Sequence, residues 1–151
     1  MSREYFMPKK IISGNGALDA AGTVIKKYGK KALIVTGKNV RGLGCFSALC
    51  KMLEDNGLLY TVFDGITGEP DDTMIAAGAK KYKDEDSDFL IAIGGGSPID
   101  SMKAIADVYK RQVQHQDGRQ RMARGVLGRH TPLPDKIQGL VFKQRRPKPL
   151  G

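Results

Sequence analysis

A run of three glycines directly follows the apolar residues 89–93; these are Gly94, Gly95 and Gly96. An apolar run of this length predicts a buried strand, and Ser97 followed by Pro98 predicts the first turn of a helix. A turn between a strand and a helix start leaves backbone N–H groups and the positive end of the helix dipole facing an anion. The three glycines therefore predict a phosphate-binding turn.

The same residues also fit a purely structural turn. Ser97 is a favoured N-cap, Pro98 is favoured at the first helical position, and Asp100 lies where a capping-box acid is found. One glycine is enough for such a turn, and each further glycine costs roughly 0.5–1 kcal/mol relative to alanine in regular structure. This cost favours phosphate binding, while a helix-initiating role for Ser97 and Asp100 stays open as the alternative.

Alternating strands and helices are predicted for residues 1–106, with a short strand over 9–13 and apolar strands over 32–36, 59–63 and 89–93. Near-continuous apolar strands separated by helices predict an α/β, Rossmann-like, mostly parallel sheet with helices on both faces. Ligands bind outside the carboxyl ends of the strands in such sheets. Gly37 and the glycine run both follow a predicted strand, so we expect them to line one crevice.

The basic charge of the chain is concentrated near its carboxyl end. The net charge is +9, of which residues 107–151 carry +8 from eleven Lys and Arg and three Asp. Four prolines and sparse apolar residues predict a disordered tail there, after a short helical continuation to Tyr109. We therefore divide the chain into a dinucleotide-binding domain, 1–106, and a basic tail, 107–151.

Nucleic-acid binding is the alternative function for this tail, because arginines at four positions offer contacts to phosphates: 119, 121, 124 and 129. The tail has no predicted fold and no interleaved aromatic residues, so we expect no specific nucleic-acid partner.

No run of residues is apolar enough to span a membrane. Cys45 and Cys50 are five apart on a predicted helix and point to different faces, so we expect free thiols and a cytoplasmic location.

Four segments carry a resemblance to a known family: 8–16, 32–37, 62–70 and 88–103. Together they resemble the N-terminal half of the iron-containing, or group III, alcohol dehydrogenases. The resemblance implies an NAD(P)-dependent oxidoreductase that interconverts small alcohols with aldehydes or ketones. The related glycerol dehydrogenases and dehydroquinate synthases, and a non-catalytic dinucleotide-binding module, remain alternatives.

The resemblance also implies roles for individual residues. In this family the glycine-rich loop, here Gly94 to Ser97, holds the pyrophosphate of the cofactor. Asp100 and Lys103 match family positions near the nicotinamide. A capping acid at Asp100 and a solvent-facing lysine at 103 are the structural alternatives.

Residues 37–39 bear on the choice of cofactor. Family members that prefer NAD often carry an aspartate where this chain has Gly37, followed by Lys38 and Asn39. A carboxylate there would repel a 2′-phosphate, whereas a lysine would tolerate it, so we predict that NADP(H) is favoured over NAD(H). The alternative is that Gly37 only turns the chain and Lys38 is a solvated charge.

A metal site is implied for the family but not for this chain. In the family a second, helical domain supplies an aspartate and three histidines to iron or zinc. The chain has two histidines, His115 and His130, both in the predicted tail. We therefore predict no metal ligand and no catalytic residue here. The resemblance is predicted to stop near Ala106, which suggests a truncated cofactor-binding half, inactive alone and able to form a homo-oligomer.

Overall fold

The computed structural model describes residues 12–124 and 139–143, with side chains described for residues 12–112. In chain order the elements are α1 (Ala17–Ile25), β1 (Lys31–Val35), α2 (Lys38–Arg41), α3 (Gly44–Asp55), β2 (Leu59–Phe63), α4 (Asp72–Asp84), β3 (Phe89–Gly94), α5 (Gly96–Arg124) and β4 (Gly139–Lys143). The four strands pair in the order β2-β1-β3-β4, and every pairing is parallel. The predicted α/β class with a parallel sheet is confirmed.

Helices cover both faces of this sheet, as the apolar runs predict. Alternate residues of β1 and β3 point to opposite faces. Ile34 and Ile91 pack on one face in a cluster with α1 and α3. Leu33 and Leu90 pack on the other face with α4 and α5. Burial of both central strands on both sides explains why their sequences are almost continuously apolar.

The helix after the glycine turn is much longer than the sequence predicts. α5 continues beyond Ala106 and Tyr109 to Arg124, and residues 139–143 form β4 beside β3. Residues 110–124 contain no proline and many good helix formers, so the helix continues after its apolar periodicity is lost. The division at residue 106 stays a prediction. The remaining tail residues, and most of the strand predicted over 9–13, lie outside the described residues.

Gly78 allows α4 to approach α5 closely. A Cβ at this position would lie 2.3 Å from Cδ1 and 2.8 Å from Cγ1 of Ile105. Ile105 is fully buried among the residues that pack α4 and α5 on the sheet. Because interiors are close-packed, the isoleucine has little room to move away from an added methyl group.

We expect Gly78→Ala to lower the free energy of unfolding by about 1–2 kcal/mol, because overpacking outweighs the better helix propensity of alanine. Urea denaturation followed by circular dichroism measures the change. Gly44→Ala is the matched control, since no heavy atom lies within 4 Å of the added Cβ in the first turn of α3. A Gly78→Ala protein as stable as the Gly44→Ala protein would contradict the close approach.

Candidate functional site

The carboxyl ends of β1 and β3 meet at one edge of the sheet. The two strands are direct neighbours, with Val35 paired to Ala92. The hydroxyl of Thr36, just after β1, donates a hydrogen bond to the carbonyl of Ile93 at 2.9 Å, and Thr36 is fully buried. This bond fixes the two strand ends beside each other. The role of Thr36 could not be predicted from the sequence, since only the pairing of β1 with β3 reveals its partner.

The glycine turn adopts a conformation that depends on its first glycine. Gly94 has a φ of 137°, a value that residues with a side chain rarely adopt. A Cβ on Gly94 would also lie 3.1 Å from Cγ of Pro98 and 3.4 Å from Cγ2 of Val40. By contrast, Gly95 and Gly96 are exposed, and their Cβ positions face open space. The turn therefore has one tightly packed glycine and two that leave the backbone accessible.

The start of α5 lies at this accessible backbone. The helix begins at Gly96, so Ser97 and Pro98 lie within its first turn. The prediction that Ser97 is the N-cap is therefore displaced by about two residues, because the glycines themselves begin the helix. The free N–H groups of the first turn and the positive end of the helix dipole lie beside Gly95 and Gly96. This arrangement fits a pyrophosphate, which needs close approach to backbone amides.

Asp100 and Lys103 both lie on the exposed side of α5, with 67% and 64% of their side chains accessible. Their charged groups are 3.6 Å apart, one helical turn from each other. Asp100 thus forms an ion pair with Lys103. This pairing differs from the capping-box acid that the sequence offers as the structural alternative, and the predicted role of Asp100 near the nicotinamide stays a prediction. An exposed pair at this spacing contributes little to stability, so both side chains stay available to a ligand.

The short helix α2 forms the other wall of this edge. Gly37, Lys38 and Asn39 follow Thr36 at the end of β1, and Lys38 and Asn39 are exposed. Because Val40 on the same helix lies against Gly94, α2 is adjacent to the glycine turn. The structure thus brings the residues predicted at 37–39 and at 94–97 to one edge of the sheet.

An ion pair that the sequence analysis missed also lies on this wall. Arg41 donates to the carboxylate of Asp64 at 2.7 Å, and Asp64 directly follows β2. The hydrogen bond from Arg41, together with the charge of Lys38, lowers the pKa of Asp64 from its usual value. The available signal was weak: Arg41 follows Lys38 by three residues, and Asp64 is the residue after a predicted strand.

Among the side chains described for residues 12–112, no three His, Cys, Asp or Glu residues are close enough to hold a metal ion. The side chains of His115 and His130 lie outside the described residues. Cys45 and Cys50 are both free and half-buried in α3. Within the part of the chain that the structure describes, no helix is both long and apolar enough to cross a membrane.

Comparison with known proteins identifies the family. The model of the iron-containing alcohol dehydrogenases matches residues 8–133, most of the chain. The chain belongs to the iron-containing alcohol dehydrogenase family. The match includes the glycine turn and α2, and it extends past Ala106, where the sequence resemblance is predicted to stop.

Individual members of the iron-containing alcohol dehydrogenases agree with this placement. NADH-dependent butanol dehydrogenase A of Clostridium acetobutylicum is 34% identical over 107 residues, covering 70% of this chain and 28% of its own length. NAD-dependent methanol dehydrogenase of Bacillus methanolicus is 37% identical over 102 residues, covering 67% of this chain and 27% of its own length. An iron-containing alcohol dehydrogenase structure from Thermotoga maritima superimposes with a TM-score of 0.66 and 33% identity over 72% of this chain and 31% of its own.

Two facts follow from these relatives. The chain spans little more than a quarter of the length of the curated iron-containing alcohol dehydrogenases that it matches. The names of both enzymes contain NADH or NAD, so these relatives give no support to the predicted preference for NADP(H).

Proposed function

We propose that this chain binds a nicotinamide dinucleotide and is the cofactor-binding part of an oxidoreductase that interconverts alcohols with aldehydes or ketones. The observation that carries the proposal is the pair of exposed glycines, Gly95 and Gly96, at the start of α5, with open space where side chains would stand. Backbone amides and a helix dipole directed at open space suit a pyrophosphate. The NADH-dependent and NAD-dependent relatives support this class of ligand.

The bound cofactor supplies the hydride that is exchanged with the substrate carbon. This chain's own residues bind and orient the cofactor. The amides of Gly95, Gly96 and Ser97 hold the pyrophosphate, and the closely packed Gly94 fixes the direction of the turn. The Lys103 ammonium lies about two turns further along α5 and provides a positive charge on the exposed side of the same helix.

The finer choice of cofactor is part of the proposal. Gly37 leaves no carboxylate at the end of β1, and Lys38 and Arg41 place two cations on α2. These charges favour a 2′-phosphate and therefore NADP(H), in contrast to the names of the two relatives. We also expect a cytoplasmic location and a small alcohol or aldehyde substrate, whose contacts the family resemblance assigns to a second domain together with iron or zinc.

Titration of the full chain with NADPH and with NADH tests the binding function. We expect the backbone amide NMR signals of residues 94–97 to shift with both dinucleotides, and NADPH to have the lower dissociation constant. If neither dinucleotide moves these signals, the proposed function fails. If NADH binds more tightly than NADPH, the preference for NADP(H) fails while dinucleotide binding stands.

A non-catalytic dinucleotide-binding module is the second candidate. It is favoured by the coverage of little more than a quarter of each curated relative, because the family resemblance assigns the metal and the substrate contacts to the remainder. We expect this chain alone to bind the dinucleotide without oxidising butan-1-ol when iron or zinc is added. Turnover by the isolated chain would show that it carries the complete catalytic machinery.

A further inference from the structure

The ion pair between Arg41 and Asp64 joins two segments at the carboxyl edge of the sheet. The guanidinium of Arg41 lies 2.7 Å from a carboxylate oxygen of Asp64. Both side chains stay accessible, with 55% of Arg41 and 32% of Asp64 exposed. A ligand can therefore contact the pair at the surface. The packing of the apolar core does not depend on it.

The position of this pair is fixed by the backbone on both sides. The amide of Thr36 donates to the carbonyl of Phe63 at 2.9 Å, and Gly37 forms an antiparallel bridge with Gly65. These contacts hold the chain after β1 beside the chain after β2. Asp64 thus lies next to the strand end where the sequence predicts selection between the two dinucleotides.

The same helix that carries Arg41 also contacts the phosphate-binding turn. Val40, the residue before Arg41, lies against Gly94, with its Cγ2 atom 3.4 Å from where a Cβ of that glycine would stand. A dinucleotide with its pyrophosphate at the glycine turn would therefore pass α2 on the way to its adenosine end. An adenosine end that follows α2 would have its ribose beside Arg41 and Asp64.

The charges of Lys38, Arg41 and Asp64 have opposite consequences for NADP(H), which carries a 2′-phosphate, and NAD(H), which carries a 2′-hydroxyl. Lys38 and Arg41 are cations that attract a 2′-phosphate, whereas Asp64 repels it. An unpaired carboxylate would instead accept a hydrogen bond from a ribose 2′-hydroxyl. By forming the ion pair, Arg41 neutralises the group that would favour the hydroxyl.

We propose that the Arg41–Asp64 ion pair determines specificity at the 2′ position of the dinucleotide. Arg41 covers the carboxylate of Asp64 and so permits a 2′-phosphate beside Lys38. Release of Asp64 from this pair favours the unphosphorylated ribose. The inference rests on the proposed dinucleotide binding. It gives Arg41 and Asp64 a role that the resemblance to the family does not give them.

The test measures the ratio of the dissociation constants of NADH and NADPH for the full chain and its variants. Arg41→Ala removes a cation and uncovers Asp64, so we expect the preference to shift toward NADH by about tenfold. Asp64→Asn removes the repelling charge and frees Arg41, so we expect a shift of about tenfold toward NADPH. Arg41→Lys keeps the charge and should shift the ratio much less than Arg41→Ala.

The matched controls are Lys51→Ala and Asp55→Asn. They make the same charge changes in an exposed ion pair whose charged atoms are 3.0 Å apart. This pair lies at the end of α3, at the amino edge of the sheet. We expect them to leave the ratio unchanged. The ratio of the two dissociation constants is also insensitive to partial unfolding of a variant, because unfolding lowers the apparent affinity for NADH and for NADPH by the same factor.

Adenosine 2′,5′-bisphosphate and adenosine 5′-monophosphate provide a second readout that omits the nicotinamide. Arg41→Ala should weaken the bisphosphate far more than the monophosphate. If both dinucleotides bind and the ratio stays within about twofold in Arg41→Ala and Asp64→Asn, the inference fails and the proposed function stands. If neither dinucleotide binds the unaltered chain, both fail.

Discussion

Replacement of Gly95 and Gly96 by valine should abolish most dinucleotide binding while leaving the fold intact. The structure separates these two effects, because no heavy atom lies within 4 Å of either added Cβ. Both residues also have φ values that an ordinary residue adopts, unlike Gly94. Neither valine would therefore contact another part of the folded chain through its Cβ. Their side chains would instead fill the space that the phosphates need.

We expect the dissociation constant of NADH to rise by about 30-fold or more in Gly95→Val/Gly96→Val. This factor corresponds to about 2 kcal/mol, the typical value of one hydrogen bond to a charged group. Isothermal titration calorimetry measures the affinity, and urea denaturation measures the stability.

Gly44→Val is the matched control, since it adds the same side chain in open space at the start of α3. It should leave both quantities unchanged. Unaltered NADH affinity in the double variant would remove the glycine turn from the binding site. A loss of stability as large as the loss of affinity would instead show that the valines disturb the fold.

Phe89→Ala should cause the largest loss of stability in the described part of the chain. Phe89 begins the central strand β3, is fully buried, and packs on the face of the sheet covered by α1 and α3. Its ring centroid lies 6.3 Å from that of Tyr28, which follows α1. The substitution removes the whole ring from a close-packed interior. We expect the free energy of unfolding to fall by about 3–5 kcal/mol.

Leu59→Ala is the control for this prediction. Leu59 also begins a strand, but β2 is at the edge of the sheet and 66% of Leu59 is exposed. Its truncation should change stability by less than about 0.5 kcal/mol. Urea denaturation of both variants measures the difference. Similar losses for the two variants would contradict the burial of Phe89 at the centre of the sheet.

The strands and the glycine turn could be predicted from sequence because their signals are local. The run 89–93 is apolar without interruption, since both faces of β3 are covered, and a turn must follow it at the glycines. The predicted helix that carries Cys45 and Cys50 is α3, and the helical spacing of Phe46, Leu49 and Leu53, all of which are buried, is also a local signal. Local patterns such as these need no knowledge of which elements become neighbours.

The features that the sequence analysis missed depend on such neighbours. Arg41 and Asp64 are 23 residues apart, and their pairing follows from the contact of β1 with β2. Thr36 finds its acceptor, Ile93, on a strand 57 residues away. The length of α5 was missed for another reason. Beyond Tyr109 its sequence has no apolar period, and helix propensity alone is a weak signal.

The length of α5 also separates the arginines at its far end, Arg119, Arg121 and Arg124, from the candidate site. Arg119 lies 23 residues after Gly96 on the same helix, a distance of about 35 Å along the axis at 1.5 Å per residue. At physiological ionic strength, electrostatic interactions decay over about 8 Å. The arginines near the far end of α5 are therefore screened from an anion at the glycine turn. Affinity for a phosphorylated ligand must come from nearby amides and cations, whatever the overall isoelectric point.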